Sequence, residues 1–104
     1  MHAIVRRYEG IDTKRTDELK QKVDEKLTPR LSKLPGFGGY FLIEAGNGVM
    51  SSVNFFDTSA LAEDSNRVVA EWLREEKLES LVPNAPKITG GEVIVKEMKS
   101  ELRA

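Results

Sequence analysis

Cysteine is absent from this 104-residue chain, and histidine occurs once, at His2. Without a thiol, the protein has no disulfide, no thiolate nucleophile and no zinc site of the Cys/His kind. A catalytic Ser–His array could be built only on His2. The sequence therefore predicts no metal site, and any catalysis must rest on amides, phenols, guanidinium groups, carboxylates and the shape of a cavity.

An excess of one charge and long apolar runs are lacking as well. The 16 basic and 17 acidic residues leave a formal net charge of −1, so the charge balance does not predict nucleic-acid binding. The longest apolar run, at residues 40–43, is far below the ~20 residues that a membrane span needs. At the N-terminus, a basic pair follows the apolar stretch, which is the reverse of a signal peptide. We therefore expect one cytoplasmic domain, residues 1–104, with no nucleic-acid or membrane partner.

Hydrophobic periodicity predicts four strands, at residues 3–8, 40–45, 49–56 and 92–98. A turn at residues 46–48 joins the second and third strands, because Gly and Asn accept positive φ angles. Residues 100–104 are predicted to be a tail. The strands alternate with two helices in the order β-α-β-β-α-β. This order predicts an α+β, ferredoxin-like fold, in which a four-stranded antiparallel sheet carries both helices on one face.

The first helix is predicted to begin at Thr16, whose side chain we expect to cap the first turn. Its apolar stripe recurs every four residues, at Leu19, Val23, Leu27 and Leu31. Pro29 interrupts this pattern, so we expect the helix to kink or restart near Thr28. The second helix follows a run of capping residues at 57–59.

Both faces of the predicted sheet are apolar, although two helices cover only one of them. Tyr40 and Leu42 alternate with Phe41 and Ile43 on the second strand, and the third and fourth strands alternate in the same way. The predicted tail is too short to cover the second face. Because a monomer rarely exposes an apolar face of several hundred Å², we predict a homodimer that packs through this open sheet face.

Three local patterns have counterparts in one known family. A Pro-Gly-Phe turn ends at Phe37, between the first helix and the second strand. Residues 53–57 close the third strand just before the second helix, which carries Ser65 and later Trp72. In these features, over residues 3–98, the chain resembles the antibiotic biosynthesis monooxygenase-like family of dimeric α+β barrels. The resemblance implies a ligand site in each subunit between the helices and the sheet.

Known members of this family include cofactor-free monooxygenases that form quinones and monooxygenases that degrade haem. The resemblance implies a small oxidoreductase that uses O₂ on a planar aromatic substrate, such as a quinol or an anthrone, without a cofactor. Such an enzyme needs an enclosed cavity of about several hundred Å³, with polar groups converging on it. The alternative is a non-catalytic dimer that binds a small apolar ligand or a partner protein. The lack of an internal His or Cys favours that alternative.

Three residues are candidates for catalysis. Trp72 is either a cavity wall that stacks a planar ligand or part of the core. Asn66 resembles a polar cavity residue of family enzymes, or is a surface amide. His2 is a base only if it turns into the cavity, and otherwise a solvated terminal residue. The haem-degrading members combine a Trp on the second helix with an Asn on the first strand and a later His. Only Trp72 matches that set, so haem binding is not predicted.

The remaining pocket candidates lie on the predicted strands: Arg6, Tyr8, Tyr40, Ser52 and Asn54. Arg6 and Arg7 must face opposite sides of the first strand, so one of them points towards the helices or the dimer interface. A buried charge needs a partner. We therefore expect an ion pair with Glu44, and the alternative is an arginine that binds an anion.

Overall fold

The computed structural model describes residues 1–99, so the predicted tail lies outside the described residues. Its strands and helices are β1 (His2–Tyr8), α1 (Thr16–Lys22), α2 (Thr28–Ser32), β2 (Phe37–Gly46), β3 (Val49–Phe56), α3 (Ser59–Glu75) and β4 (Lys87–Glu92). All strand pairs are antiparallel, in the order β2-β3-β1-β4. This arrangement confirms the predicted ferredoxin-like α+β fold. Within residues 1–99, no helix is long and apolar enough to cross a membrane.

The predicted first helix is one helical rod in three pieces: α1, a π-helical turn (Val23–Leu27) and α2. The backbone N–H of Thr28 donates to Val23 O, five residues back, while its hydroxyl donates to Asp24 O at 2.8 Å. Pro29 has no N–H that could donate to Asp24 O, so the Thr28 hydroxyl supplies the donor for this carbonyl. Proline is tolerated here because it lies in the first turn of α2. The predicted restart near Thr28 is confirmed.

The helix starts match their predicted positions, but only one of the two caps does. The α1 helix begins at Thr16, whose side chain makes no capping bond, and the predicted Thr16 cap is wrong. A short 3-10 turn (Thr13–Arg15) precedes it, and the Asp12 side chain accepts a hydrogen bond from Lys14 N at 3.0 Å. At α3, the Thr58 hydroxyl accepts from Leu61 N at 3.3 Å, as its capping position predicts.

The fourth strand, Lys87–Glu92, lies before the predicted strand at residues 92–98 and overlaps it only at Glu92. It pairs with β1 from Arg7↔Lys87 to His2↔Glu92, so it ends where β1 begins. The predicted strand at residues 92–98 is wrong, because β1 has no residues left to pair with it. Beyond Glu92, Val93 N donates to Met1 O at 2.9 Å. Ile94 and Val95 then run on with exposed fractions of 88% and 82%.

One face of the sheet carries the helices and the core. The predicted stripe of the first helix is buried in full, at Leu19, Val23, Leu27 and Leu31. From α3, the buried residues are Ala62, Ser65, Val68, Val69 and Trp72. On the opposite face, Phe41 and Ile43 remain 46% and 50% exposed. Both faces are therefore apolar, as the alternation predicts.

Candidate functional site

A small apolar cavity lies between the helices and the sheet, where the resemblance places a ligand. Its volume is about 30 Å³, which is room for one water molecule. Its walls come from β1, the loop after β1, the first helical rod, β2, β3, α3 and the segment before β4. The lining residues are Tyr8, Ile11, Leu19, Val23, Leu27, Tyr40, Leu42, Met50, Val69, Trp72, Leu73 and Val82.

A larger groove of about 290 Å³ adjoins this cavity and opens between the first helical rod and β2. Val23, Tyr40, Leu42 and Met50 line both spaces. The outer part of the groove is polar and carries Lys20, Asp24, Thr28 and Glu44. The π-helical turn contributes Val23 to both spaces. Cavity and groove together form one site, apolar at its inner end and charged at its mouth.

Trp72 forms the α3 side of the cavity and is 2% exposed. Its indole Nε1–H is buried and has no acceptor among the described residues. Buried donors almost always have a partner, since an unmade hydrogen bond costs roughly 1–3 kcal/mol. Trp72 therefore contributes a buried hydrogen-bond donor without an acceptor to the residues that line the cavity.

Tyr8 and Tyr40 bring the two phenols of the site to its sheet side. Burial raises the pKa of Tyr8, and the positive charge of Arg6 opposes that rise. Burial, with a smaller contribution from Tyr8, raises the pKa of Tyr40 to about 12, again against Arg6. Both phenols therefore stay protonated near neutral pH and can donate a hydrogen bond to a ligand oxygen.

Arg6 is the buried cation of the structure, with an exposed fraction of 1%. Its Nε donates to Asn66 Oδ1 at 2.9 Å and its Nη2 to Ser65 Oγ at 2.7 Å, while its Nη1 donates to Asn54 Oδ1. Every one of these acceptors is neutral. Burial lowers the pKa of Arg6 from its usual value, although the group stays charged at physiological pH.

The predicted ion pair between Arg6 and Glu44 is wrong. Glu44 lies at the mouth of the groove, where its Oε1 is 3.7 Å from Lys20 Nζ. Glu44 shares a face with Tyr40 and Leu42, but its neighbour on β3 is Met50, which lies opposite Tyr8, whereas Arg6 lies opposite Ser52. Glu44 therefore stands on the far side of β3 from Arg6 and two residues nearer the hairpin turn. Among residues 1–99, no carboxylate pairs with Arg6. The opposite-face prediction holds for Arg7, which is exposed and pairs with Glu9 at 2.9 Å.

The structure brings most of the candidate residues together. Trp72, Tyr8 and Tyr40 line the cavity, while Asn54, Asn66 and Arg6 form a polar cluster. Ser52 is buried and lies opposite Arg6 in the β1–β3 register. Their functional roles stay predictions.

His2 stands apart from these residues. It lies at the other end of β1 from Tyr8, roughly 20 Å away along the strand. It lines neither the cavity nor the groove. The cavity therefore has no imidazole near it among the described residues. Within the described part of the chain, no group of three metal-ligating side chains occurs.

Ser65 is the member of the polar cluster that was not among the candidates. It accepts hydrogen bonds from both Arg6 and Asn54, and its own hydroxyl donates to Ala62 O. Its signal in the sequence is a hydroxyl within an otherwise apolar helical stripe. Such a residue faces the core, where it needs a polar partner on the sheet.

No protein-family model matches the sequence, and no curated protein is significantly similar to it. Solved structures, in contrast, match over almost the whole chain. The NE2512 protein of unknown function from Nitrosomonas europaea is 17% identical, with a TM-score of 0.76 over 95% of this chain and 94% of that chain.

Two further similar structures contain ligands. A monooxygenase from the gene ActVA-Orf6 of Streptomyces coelicolor, in complex with nanaomycin D, is 15% identical, with a TM-score of 0.69 over 95% of this chain and 92% of that chain. A mutant of MhuD with two manganese protoporphyrin IX molecules per active site is 12% identical, with a TM-score of 0.65 over 95% and 100%. The fold is thus the one found in antibiotic biosynthesis monooxygenase-like proteins.

Proposed function

We propose that this protein is a member of the antibiotic biosynthesis monooxygenase-like family and a cofactor-independent monooxygenase acting on a planar hydroxyaromatic substrate, such as an anthrone or a quinol. The observation that carries the proposal is the buried, unpartnered Nε1–H of Trp72, a residue that lines a largely apolar cavity. That donor, with the protonated phenols of Tyr8 and Tyr40, suits a substrate that is aromatic and carries oxygen. The shared fold with a monooxygenase in complex with nanaomycin D supports the assignment.

This reaction needs few catalytic groups from the protein. An anthrone loses a proton to become an electron-rich anion, which passes an electron to O₂. The two radicals combine, and loss of water turns the CH₂ group into a carbonyl, so that one O₂ gives one new C=O and one H₂O. The side chains hold the ring, donate hydrogen bonds to the anionic oxygen and exclude bulk water. Asp24 and Glu44, which line the groove, are the carboxylates placed to take up the proton.

Oxygen uptake tests this proposal directly. We expect the protein to consume O₂ when it is mixed with an anthrone, and to form the corresponding anthraquinone, whose new carbonyl oxygen comes from O₂. Trp72→Phe keeps an aromatic ring but removes the indole donor, so turnover should fall by about tenfold or more. Glu63→Gln, on the exposed side of α3, serves as the matched control and should keep full activity. If no substrate in the panel raises O₂ uptake above the rate without protein, the oxygenase assignment is wrong.

A specific observation favours the second candidate, a non-catalytic protein that binds a small ligand. The cavity of about 30 Å³ is much smaller than a three-ring substrate, and neither an imidazole nor a carboxylate lines it. A large substrate must therefore place most of its rings in the adjoining groove. Tight binding of an anthrone without O₂ uptake would identify this second function.

We also propose that the functional unit is a homodimer formed through the open face of the sheet. Phe41 and Ile43 are exposed there, and the Phe41 and Phe55 rings meet edge to face at 6.3 Å. The extended segment after β4 adds Ile94 and Val95. A hollow of about 680 Å³ lies between this segment and the strands and is bordered by Phe41, Phe55 and Val95. A second copy of this apolar face is the occupant with matching chemistry.

A further inference from the structure

Met50 is buried but has free volume around it. Its exposed fraction is 2%, yet it lines the cavity of about 30 Å³, the groove of about 290 Å³ and a third hollow of about 140 Å³ beside the β2–β3 turn. Among residues 1–99, it is the one side chain that borders all three of these spaces. In a close-packed core, the neighbours of a side chain leave few voids into which it could turn. Met50 has such voids beside it.

The position of Met50 in the sheet puts it between the inner and the outer part of the site. Its neighbour on β1 is Tyr8, which lines the cavity but not the groove. Its neighbour on β2 is Glu44, which lines the groove but not the cavity. Directly paired residues of antiparallel strands point to the same face of the sheet, roughly 5 Å apart. Met50 therefore forms the floor of the site where the cavity meets the groove.

Three other residues line both the cavity and the groove, namely Val23, Tyr40 and Leu42. Val23 is β-branched and belongs to the first helical rod, so its side chain has one strongly preferred rotamer. Tyr40 carries a rigid ring, and Leu42 is branched. Met50 is unbranched and turns about three side-chain bonds, so it can change its shape and still fill the core. It is the part of this boundary that can yield to a ligand.

We propose that Met50 is the specificity-determining residue of this site: its side chain separates the cavity from the groove, and its position sets how many fused rings the site accepts. The inference rests on the proposed aromatic ligand site and defines the size of its substrate. A two-ring ligand fits in the groove with the side chain in place. A three-ring ligand that also reaches Trp72 crosses the boundary, so Met50 must turn aside, and the hollow beside the β2–β3 turn gives it room.

Two ketones that differ by one benzene ring test this inference. The compounds are 1-indanone and 9-fluorenone, and each carries one carbonyl in a five-membered ring. Neither has an ionisable hydroxyl, and neither is oxidised by O₂ at neutral pH, so their binding is independent of any oxygenase activity. Equilibrium dialysis against the wild-type protein gives both dissociation constants. The ratio of these constants, indanone over fluorenone, is the ring selectivity of the site.

Met50→Ala and Met50→Ile should change the ring selectivity in opposite directions. Alanine removes the side chain between the two spaces, so fluorenone should bind about tenfold more tightly relative to indanone, because more of its apolar surface is buried. Isoleucine keeps a similar size but is stiff at χ1, so fluorenone should bind about tenfold more weakly, while the affinity for indanone changes by less than about threefold.

Leu31→Ala is the matched control for the loss of core packing. Leu31 is buried and lines neither the cavity nor the groove, so its truncation should leave the ring selectivity unchanged. Circular dichroism shows whether each variant is folded. If either alanine variant is not, Met50→Ile and the wild type still decide the question.

An unchanged ring selectivity in the folded Met50 variants, an equal loss of affinity for both ketones, or no binding of either ketone at millimolar protein would overturn the inference. Its failure is distinguishable from failure of the oxygenase proposal. A protein whose ring selectivity follows Met50, but that takes up no O₂ with an anthrone, is a binder in which Met50 sets the size of the ligand. One that oxidises anthrones and has the same ring selectivity in all variants is an oxygenase in which Met50 plays no part in selection.

Discussion

Tyr40 is the residue whose ionisation depends most clearly on folding. Burial raises its pKa from 10.0 to about 12 in the folded protein, so in this range the folded state holds a proton that the unfolded state has lost. The contribution of the protonated Tyr40 phenol to the stability of the folded state is complete below about pH 10 and decreases as the pH rises towards about 12. By linkage, roughly 2 kcal/mol of unfolding free energy is lost across this window.

Urea denaturation at several alkaline pH values measures this loss. In Tyr40→Phe the part of the slope due to Tyr40 should vanish, while Tyr8, whose pKa burial also raises, leaves a smaller decline. The ultraviolet absorbance of phenolate should show that Tyr40 ionises late in the native protein. Identical pH profiles for Tyr40→Phe and the wild type would contradict this account.

For single residues, the sequence predicted which side chain is buried more reliably than it predicted the groups to which that side chain bonds. The strand parity of Arg6 and Arg7 predicts that one arginine is buried, and Arg6 is. Its partners were not predictable, because they depend on how α3 lies across the sheet and which of its residues face Asn54. A search for the opposite charge led to Glu44, whereas the structure uses neutral amide and hydroxyl oxygens.

The β2–β3 hairpin offers a test at the level of an element. Gly46 and Gly48 have φ angles of +86° and +75° on either side of Asn47. An added Cβ at Gly46 would meet nothing within 4 Å, whereas at Gly48 it would lie 2.9 Å from Ile11 O. That carbonyl cannot move freely, because Ile11 N donates to Gly48 O at 3.0 Å.

Gly46→Ala and Gly48→Ala should therefore differ in stability. Both substitutions meet the penalty for a left-handed backbone, about 1–2 kcal/mol. Gly48→Ala adds the backbone clash, so its unfolding free energy should be lower by a further ~1 kcal/mol or more. Chemical denaturation of the two variants gives the difference, and equal losses would show that the loop after β1 yields without cost.

Element boundaries were predictable where the local chemistry sets them. Pro29 located the break in the first helical rod, and Thr58 located the start of α3. The π-helical form of the break was not predictable from the spacing of the apolar residues. The predicted position of the fourth strand was wrong because strand pairing decided it. Its sequence, Lys-Ile-Thr-Gly-Gly-Glu, has a weak strand propensity, and pairing with β1 overrides the stronger apolar run that follows.

For the molecule as a whole, the decisive measurement is its mass in solution. We expect light scattering to give about twice the chain mass of 11.7 kDa, because Phe41 and Ile43 on the open sheet face remain 46% and 50% exposed. Phe41→Asp places a charge on that face, in the edge strand β2, and should produce a folded monomer. Glu63→Lys, on the exposed side of α3, is the matched control and should remain dimeric. A wild-type mass near 11.7 kDa at micromolar concentration would contradict the dimer.

The whole-molecule architecture followed from the order of elements, and its two apolar faces followed from alternation along the strands. What lies against the second face is a property of an assembly, which the pattern of one chain indicates only indirectly. The size of the cavity was equally out of reach. It depends on the packing of side chains such as Trp72, Leu73 and Met50 to within a few ångströms, and residue spacing does not encode that fit.

The position of the lone tryptophan makes the molecule its own optical reporter. With a single Trp in the chain, all intrinsic indole emission comes from the wall of the cavity. A dry indole without a hydrogen-bond acceptor emits at short wavelength. A ligand oxygen that accepts from Nε1 should move that emission to longer wavelength, and a quinone ring nearby should quench it. Site occupancy can therefore be followed in unlabelled protein before any substrate is known.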